Sequence, residues 1–235
     1  MMPQNRWAGT AAVVAVAAGL YALGPADLQV PFLAGPAFAQ ESRGAADVDR
    51  PKRHFKVERP ADLSGAKALT VYHRLLDDMV AGYALSGDSA AERYRTWTRF
   101  NMVPYRSATH GERYVNNYAN PVGQAYGKFE ESGTLPEGTV LAKDSFAVTA
   151  RGDVFIGPIF LMEKMAPGFK SEARDWRYSM IMPDGSIFGV TNGQDSERVE
   201  FCIACHQAAG DEQDHLFYIP EEFRQKVFKI DLKSN

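Results

Sequence analysis

The sequence predicts an α+β fold that is mainly β, with helices at the two ends of a central run of strands. Three observations carry this. Between residues 139 and 191, short apolar segments are broken by Gly, Pro and Asn, the punctuation of strands and turns. Before them, Leu69, Tyr72, Leu76, Met79 and Tyr83 recur at spacings of three and four, the rhythm of one helix face. After them, Ser196, Glu197 and Glu200 stand at the start of a short segment that Gly210 can end, as in a capped helix with acids in its first turn.

Composition bounds the function. The chain has 235 residues, 45% hydrophobic and 23% charged, which suits one large folded domain or two small ones and is neither disordered nor collagen-like. With 26 basic against 29 acidic residues, a net charge of -3 and no Lys/Arg block, nucleic acid is not an expected partner.

Taken in order, residues 1–39 read as an export signal. Arg6 supplies the positive start, residues 8–23 the apolar run, and Ala37-Phe38-Ala39 a small-x-small cleavage site. An uncleaved anchor is the alternative, although a 16-residue run falls short of a comfortable span. Either route places the folded part in the periplasm or outside the cell. No other segment is apolar enough to cross a membrane, so none is expected in the protein after cleavage. Residues 40–64, charged with both signs and containing Pro51 and Pro60, are expected as a flexible arm, and residues 65–235 as the folded domain.

Order begins near Ala66 with the periodic helix, which Gly87 closes. A second helix is expected from an N-cap at Ser89 through Tyr94 and Trp97 until Pro104 ends it. Strands follow over 139–148, 154–165, 176–182 and 186–191, the last two joined by a turn at Pro183-Asp184-Gly185. A short helix starts at Ser196. Pro220, Glu221 and Glu222 open a last one that would bury Phe223 and Val227.

The chemistry lies in Cys202-Ile203-Ala204-Cys205-His206, a C-x-x-C-H sequence containing the chain's only two cysteines. On a helix, positions 202, 205 and 206 project from one side. Both thiols can then bond the vinyl groups of one haem c while His206 ligates its iron. Three alternatives compete: a thioredoxin-like dithiol, which lacks its usual βαβ setting; a disulfide; and a zinc site completed by His206 and His215, in which adjacent ligands would strain a tetrahedral shell. All eight Met precede Cys202 and 29 residues follow His206, so a sixth ligand would have to be His215 or an upstream residue such as Met162 or Met180. The economical reading is an iron open on its distal side, suited to a small molecule.

In this order of elements the chain resembles the cytochrome P-460 family, whose relatives include the beta-sheet cytochromes c-prime. The similar features are Tyr94 and Trp97, residues 110–120, Leu135-Pro136-Glu137-Gly138-Thr139 with Lys143 after it, Gly168, Asp175-Trp176, Pro183-Asp184-Gly185, and Cys202 to His206 followed by Asp214 and Phe217. The resemblance implies an antiparallel sheet domain carrying the haem-attachment helix, and a homodimer. It also implies either oxidation of hydroxylamine or a related small nitrogen compound, with a lysine bonded to the porphyrin and electrons passed to a partner cytochrome, or binding of a gas such as nitric oxide without turnover. An electron carrier is a further alternative.

That fork turns on individual side chains. Lys143, by its strand position, is the first candidate for the ring-bonded lysine, though it is also explained as a solvated strand lysine; Lys164, which alternates with Phe160 and Met162, is its rival and Lys128 a third. Glu197 and Glu200 are candidate catalytic carboxylates, though both are explained as helix N-terminal acids. His110 and Arg113 are candidates to line the distal pocket.

Overall fold

The structure, a computed structural model, describes residues 52–225, all within one unit of the chain, Asp47–Asn235. The expected export signal, the first part of the arm and Val227 lie outside the described residues. Among the described residues no helix is long and apolar enough to cross a membrane.

Among the described residues, nine antiparallel strands form one sheet. They are β1 (Arg53–Lys56), β2 (Thr98–Arg99), β3 (Tyr105–Ser107), β4 (Arg113–Ala119), β5 (Val140–Val148), β6 (Asp153–Ile156), β7 (Ile159–Lys164), β8 (Trp176–Ile181) and β9 (Ile187–Val190). The long β5 is the hub. One edge pairs with β4 over six positions, from Tyr114 opposite Phe146 to Ala119 opposite Leu141. Its other edge pairs with β7 over residues 140–143 and with β6 over residues 146–148. The single strand expected over 154–165 is therefore two. The break falls at Gly157-Pro158, where Pro158 has no N–H for a ladder and its carbonyl accepts from Ser145 Oγ at 2.6 Å.

Helix α1 (Gly65–Ala84) covers one face of the sheet with Ala68, Val71, Tyr72, Leu75, Met79 and Tyr83. The expected residues Leu69 and Leu76 sit only at the margins of that stripe. Tyr118, Ala142, Phe146, Ile159, Leu161 and Ile181 meet α1 from the strands. Tyr83 Oη donates to the Gly157 carbonyl at 2.7 Å and ties the helix to the β6–β7 corner. At Gly82 the helix approaches the β8–β9 turn so closely that a Cβ would lie 2.1 Å from the Pro183 carbonyl oxygen. Gly82→Ala gains about 1 kcal/mol of helix propensity but overpacks against backbone, which typically costs about 1–3 kcal/mol. A net loss of stability, read as a lower urea midpoint, is expected.

Four expectations are corrected. The arm is shorter than 40–64, because β1 pairs with β6 and Phe55 packs into the core beneath the Arg74 guanidinium; a four-residue strand is too short to register as alternation. The second helix, α2 (Ser89–Arg93), is capped by Asp88, whose carboxylate accepts from the amides of Ala90 and Ala91. It ends before Tyr94, where a tight turn feeds β2 into pairing with β4, so Trp97 is extended rather than helical. Strand β4, central to the sheet, was not expected at all. The last helix is only a turn at Glu221–Phe223, held by stacking of Phe223 on Tyr105 at 5.2 Å.

Candidate haem site

The sheet's second face is built by register. Asn117, Lys143, Phe160 and Met180 align across β4, β5, β7 and β8, and Ala119, Leu141, Met162 and Tyr178 form the next row. Alternation turns both rows away from α1. Opposite them stands helix α3 (Glu200–Gln207), anchored by the buried Ile203 in a cluster with Leu216 and Ile219.

Between sheet and helix lies a cavity of about 390 Å³, in the range of ordinary ligand sites. Cys202, Cys205 and His206 line it from the helix, and Lys143, Phe160, Met162 and Met180 from the sheet. The three motif side chains thus share one side of α3, as their spacing predicts. Both cysteines are free thiols, not a disulfide. Burial pushes the Cys202 thiol up to about 11.

His206 is held in one orientation. Its Nδ1–H donates to the His215 carbonyl at 2.8 Å, which leaves Nε2 unprotonated and available as a donor. The ring lies 5.2 Å from Tyr178 and 5.6 Å from Phe217. Burial, and then the charge of Lys143, lower its pKa to about 4.

Lys143 and His110 meet at the cavity wall, Nζ 3.4 Å from Nε2. An ammonium can only donate, so Nε2 accepts, and Nδ1–H is left to donate to Ser107 Oγ at 2.9 Å. Burial lowers Lys143 to about 8. Burial and then Lys143 push His110 down to about 2, so its imidazole is neutral. The ring of His110 packs edge-on against Phe160, and Arg113 Nη1 donates to the His110 carbonyl at 3.0 Å. His110 and Arg113 both line the cavity.

The remaining candidates fall elsewhere. Lys164 lies on the same face of β7 as Phe160 and Met162 but beyond the cavity's end, where Nζ donates to Asp214 Oδ1 and to the Arg174 carbonyl, each at 2.6 Å. Lys128 is exposed and does not line the cavity. Glu197 and Glu200 are exposed; Glu200 Oε1 lies 3.4 Å from Lys170 Nζ, and neither lines the cavity. Among the described residues, no Asp or Glu lines it. The ring of His215 turns to Asp211 at 3.0 Å, away from any zinc shell with the cysteines. No group of three or more His, Cys, Asp or Glu among the described residues is placed to hold a metal ion.

The residues fit a porphyrin. The donor set is two free thiols and one oriented imidazole, and the walls are largely apolar. Tyr178, also in the lining, has a buried hydroxyl with no hydrogen-bond partner among the described residues, an orphan that a group with polar edges could satisfy. Tyr178 and the His215 carbonyl were missed in the sequence: the first is placed by strand register, the second is backbone. A family model described as Cytochrome P460 matches residues 91–218, more than half of the chain. No curated protein matches the chain.

Proposed function

The chain belongs to the cytochrome P460 family of haem proteins, and from that premise we propose that it is an exported, single-haem c-type cytochrome whose open iron face oxidises hydroxylamine or a related small nitrogen compound. The carrying observation is that Cys202, Cys205, His206 and Lys143 open onto one cavity. In this reading the two cysteines bond the haem and His206 ligates its iron, while Lys143 bonds the porphyrin edge. The haem, when bound, supplies the iron that takes up the nitrogen compound and its electrons.

The chain's own residues do the rest. His206 is held in the ligating tautomer by the His215 carbonyl. Lys143, lowered to about 8 by burial, has a substantial neutral fraction near pH 8, the form in which its nitrogen carries a lone pair. His110, a neutral imidazole on the cavity wall whose burial disfavours protonation, takes a positioning role beside the bound nitrogen compound rather than the proton-accepting role sought in Glu197 and Glu200. Phe160, Met162 and Met180 keep the wall dry. Electrons would leave to a partner cytochrome, and the homodimer implied by the resemblance is part of the same proposal. Residues 1–39 would direct export to the periplasm.

A second reading, a nitric-oxide-binding cytochrome without turnover, is favoured by the lack of a carboxylate among the described lining residues. The two separate in one assay. Holoprotein mixed with hydroxylamine and an oxidised c-type cytochrome is expected to reduce that acceptor, and reduction should fall at least tenfold in His110→Ala. Nitric oxide binding with no acceptor reduction would overturn the oxidase reading. Lys143→Met is expected to keep the haem but return the reduced absorption band to an ordinary c-type position. An unchanged band would remove the proposed bond between Lys143 and the porphyrin.

A further inference from the structure

His215, whose carbonyl holds His206, directly follows Asp214, which is held by a buried ion pair with Lys164. We propose that Lys164 and Asp214 are positioning residues for the iron ligand: their pair locks the turn at residues 214 and 215, and the His215 carbonyl in that turn sets the orientation and basicity of His206. The inference rests on the reading of His206 as the ligand.

The turn is strained. Asp214 and His215 are consecutive non-glycine residues at φ of 52° and 59°, in the left-handed region that L side chains rarely adopt. Such a pair persists only where its surroundings over-determine it. Here they do. Asp214 is fully buried, and its carboxylate accepts from Lys164 Nζ at 2.6 Å through Oδ1 and from the Leu135 amide at 3.0 Å through Oδ2. Its carbonyl accepts from Trp176 Nε1 at 2.8 Å. Lys164, itself buried, is fixed by the Arg174 carbonyl and by the Trp176 ring 4.9 Å away. Residues from β7, β8 and the segment before β5 thereby converge on one peptide, and the next carbonyl along receives His206 Nδ1–H.

The consequence is electronic as well as steric. A hydrogen bond from Nδ1 makes Nε2 a stronger donor, and a stronger proximal donor favours oxidised iron. Releasing the turn should weaken the iron–histidine bond and raise the reduction potential. A pair that only staples the fold would change stability and leave both quantities alone.

The test uses haem-loaded protein. In Lys164→Gln with Asp214→Asn, a near-isosteric neutral pair that removes both charges of the buried bridge and leaves the part-exposed Arg174 guanidinium, 3.7 Å from Asp214 Oδ1, free to turn to solvent, the iron–histidine stretching band of the ferrous protein is expected to move to lower frequency and broaden, with a rise in potential. Trp176→Phe, which removes the hydrogen bond to the Asp214 carbonyl, keeps an aromatic ring in the core and leaves the Lys164–Asp214 pair in place, should move both in the same direction by less. It decides the matter should the double variant fail to fold. Wild-type band and potential in a folded, haem-loaded variant would overturn the inference. A wild-type chain that carries no covalent haem would instead end the reading of His206, so the two failures are distinguishable.

Discussion

Replacing Cys202 and Cys205 together by alanine is expected to abolish haem that survives denaturation, the largest single effect the site allows. The two thiols line one cavity from one side of α3, three residues apart, with His206 completing the same stripe. A haem held by two thioethers stays with the chain in detergent, whereas one held only by His206 and the cavity wall does not. The double variant should therefore give no haem-staining band on a denaturing gel, and each single variant a weakened one. The fold should be largely retained, because Cys205 is exposed and Cys202 half-buried, and the helix is anchored through Ile203.

Asp144→Ala is expected to lower stability by about 2–6 kcal/mol, at about 1–3 kcal/mol for each of the two buried donors left short of a partner. Asp144 is fully buried on the α1 side of the sheet. Its carboxylate accepts from Tyr72 Oη at 2.6 Å and from Asn116 Nδ2 at 2.9 Å, and Tyr72 Oη lies 2.7 Å from Tyr118 Oη and accepts from Arg95 Nη1 at 2.8 Å. The pair Tyr72–Asp144 is thus one of the few polar ties between α1 and the strand that carries Lys143. Burial raises the Asp144 carboxyl above its usual 3.8, against the lowering effect of its hydrogen bonds. Between the unfolded and the folded values the folded state holds a proton that the unfolded chain has lost, so this group's contribution to stability is fully present below pH 3.8 and is lost as pH rises through the folded value. Asp144→Asn keeps an acceptor oxygen without that burial cost, so its loss should be smaller than alanine's. Urea unfolding checks both, and the haem spectrum, set on the opposite face, should not change.

What was legible in the chain was what is local. The helix face of α1 repeats every three or four residues, and β5, β8 and β9 alternate between turns, so their existence follows from the sequence near each of them. Strand β4 does not announce itself, because Asn116 and Asn117 occupy its middle and such residues are depleted in strands. They are tolerated only by partners distant in sequence. Asn116 accepts from Asn101 at 2.9 Å and donates to Asp144, and Asn117 donates to Tyr126 Oη at 3.0 Å.

The same division runs through the site. The C-x-x-C-H motif is five consecutive residues, so its geometry is written in helical spacing. Choosing between Lys143 and Lys164 needed register, since both lie on the cavity face of their strands and only pairing places Lys143 beside Phe160 and Lys164 beside Trp176. Glu197 and Glu200 were nearest to the motif along the chain yet lie on the exposed start of the segment, where nearness in sequence does not become nearness in space. His110 reaches the cavity from before β4, more than ninety residues ahead of the cysteines.

The most direct test of the account is the mass of the haem peptide from the exported protein made with cytochrome maturation machinery. After denaturation and proteolysis, one haem should be found on the fragment that contains Cys202, Cys205 and His206, and that fragment should also carry the peptide containing Lys143. A polypeptide at its unmodified mass, with no haem on either fragment, would contradict it.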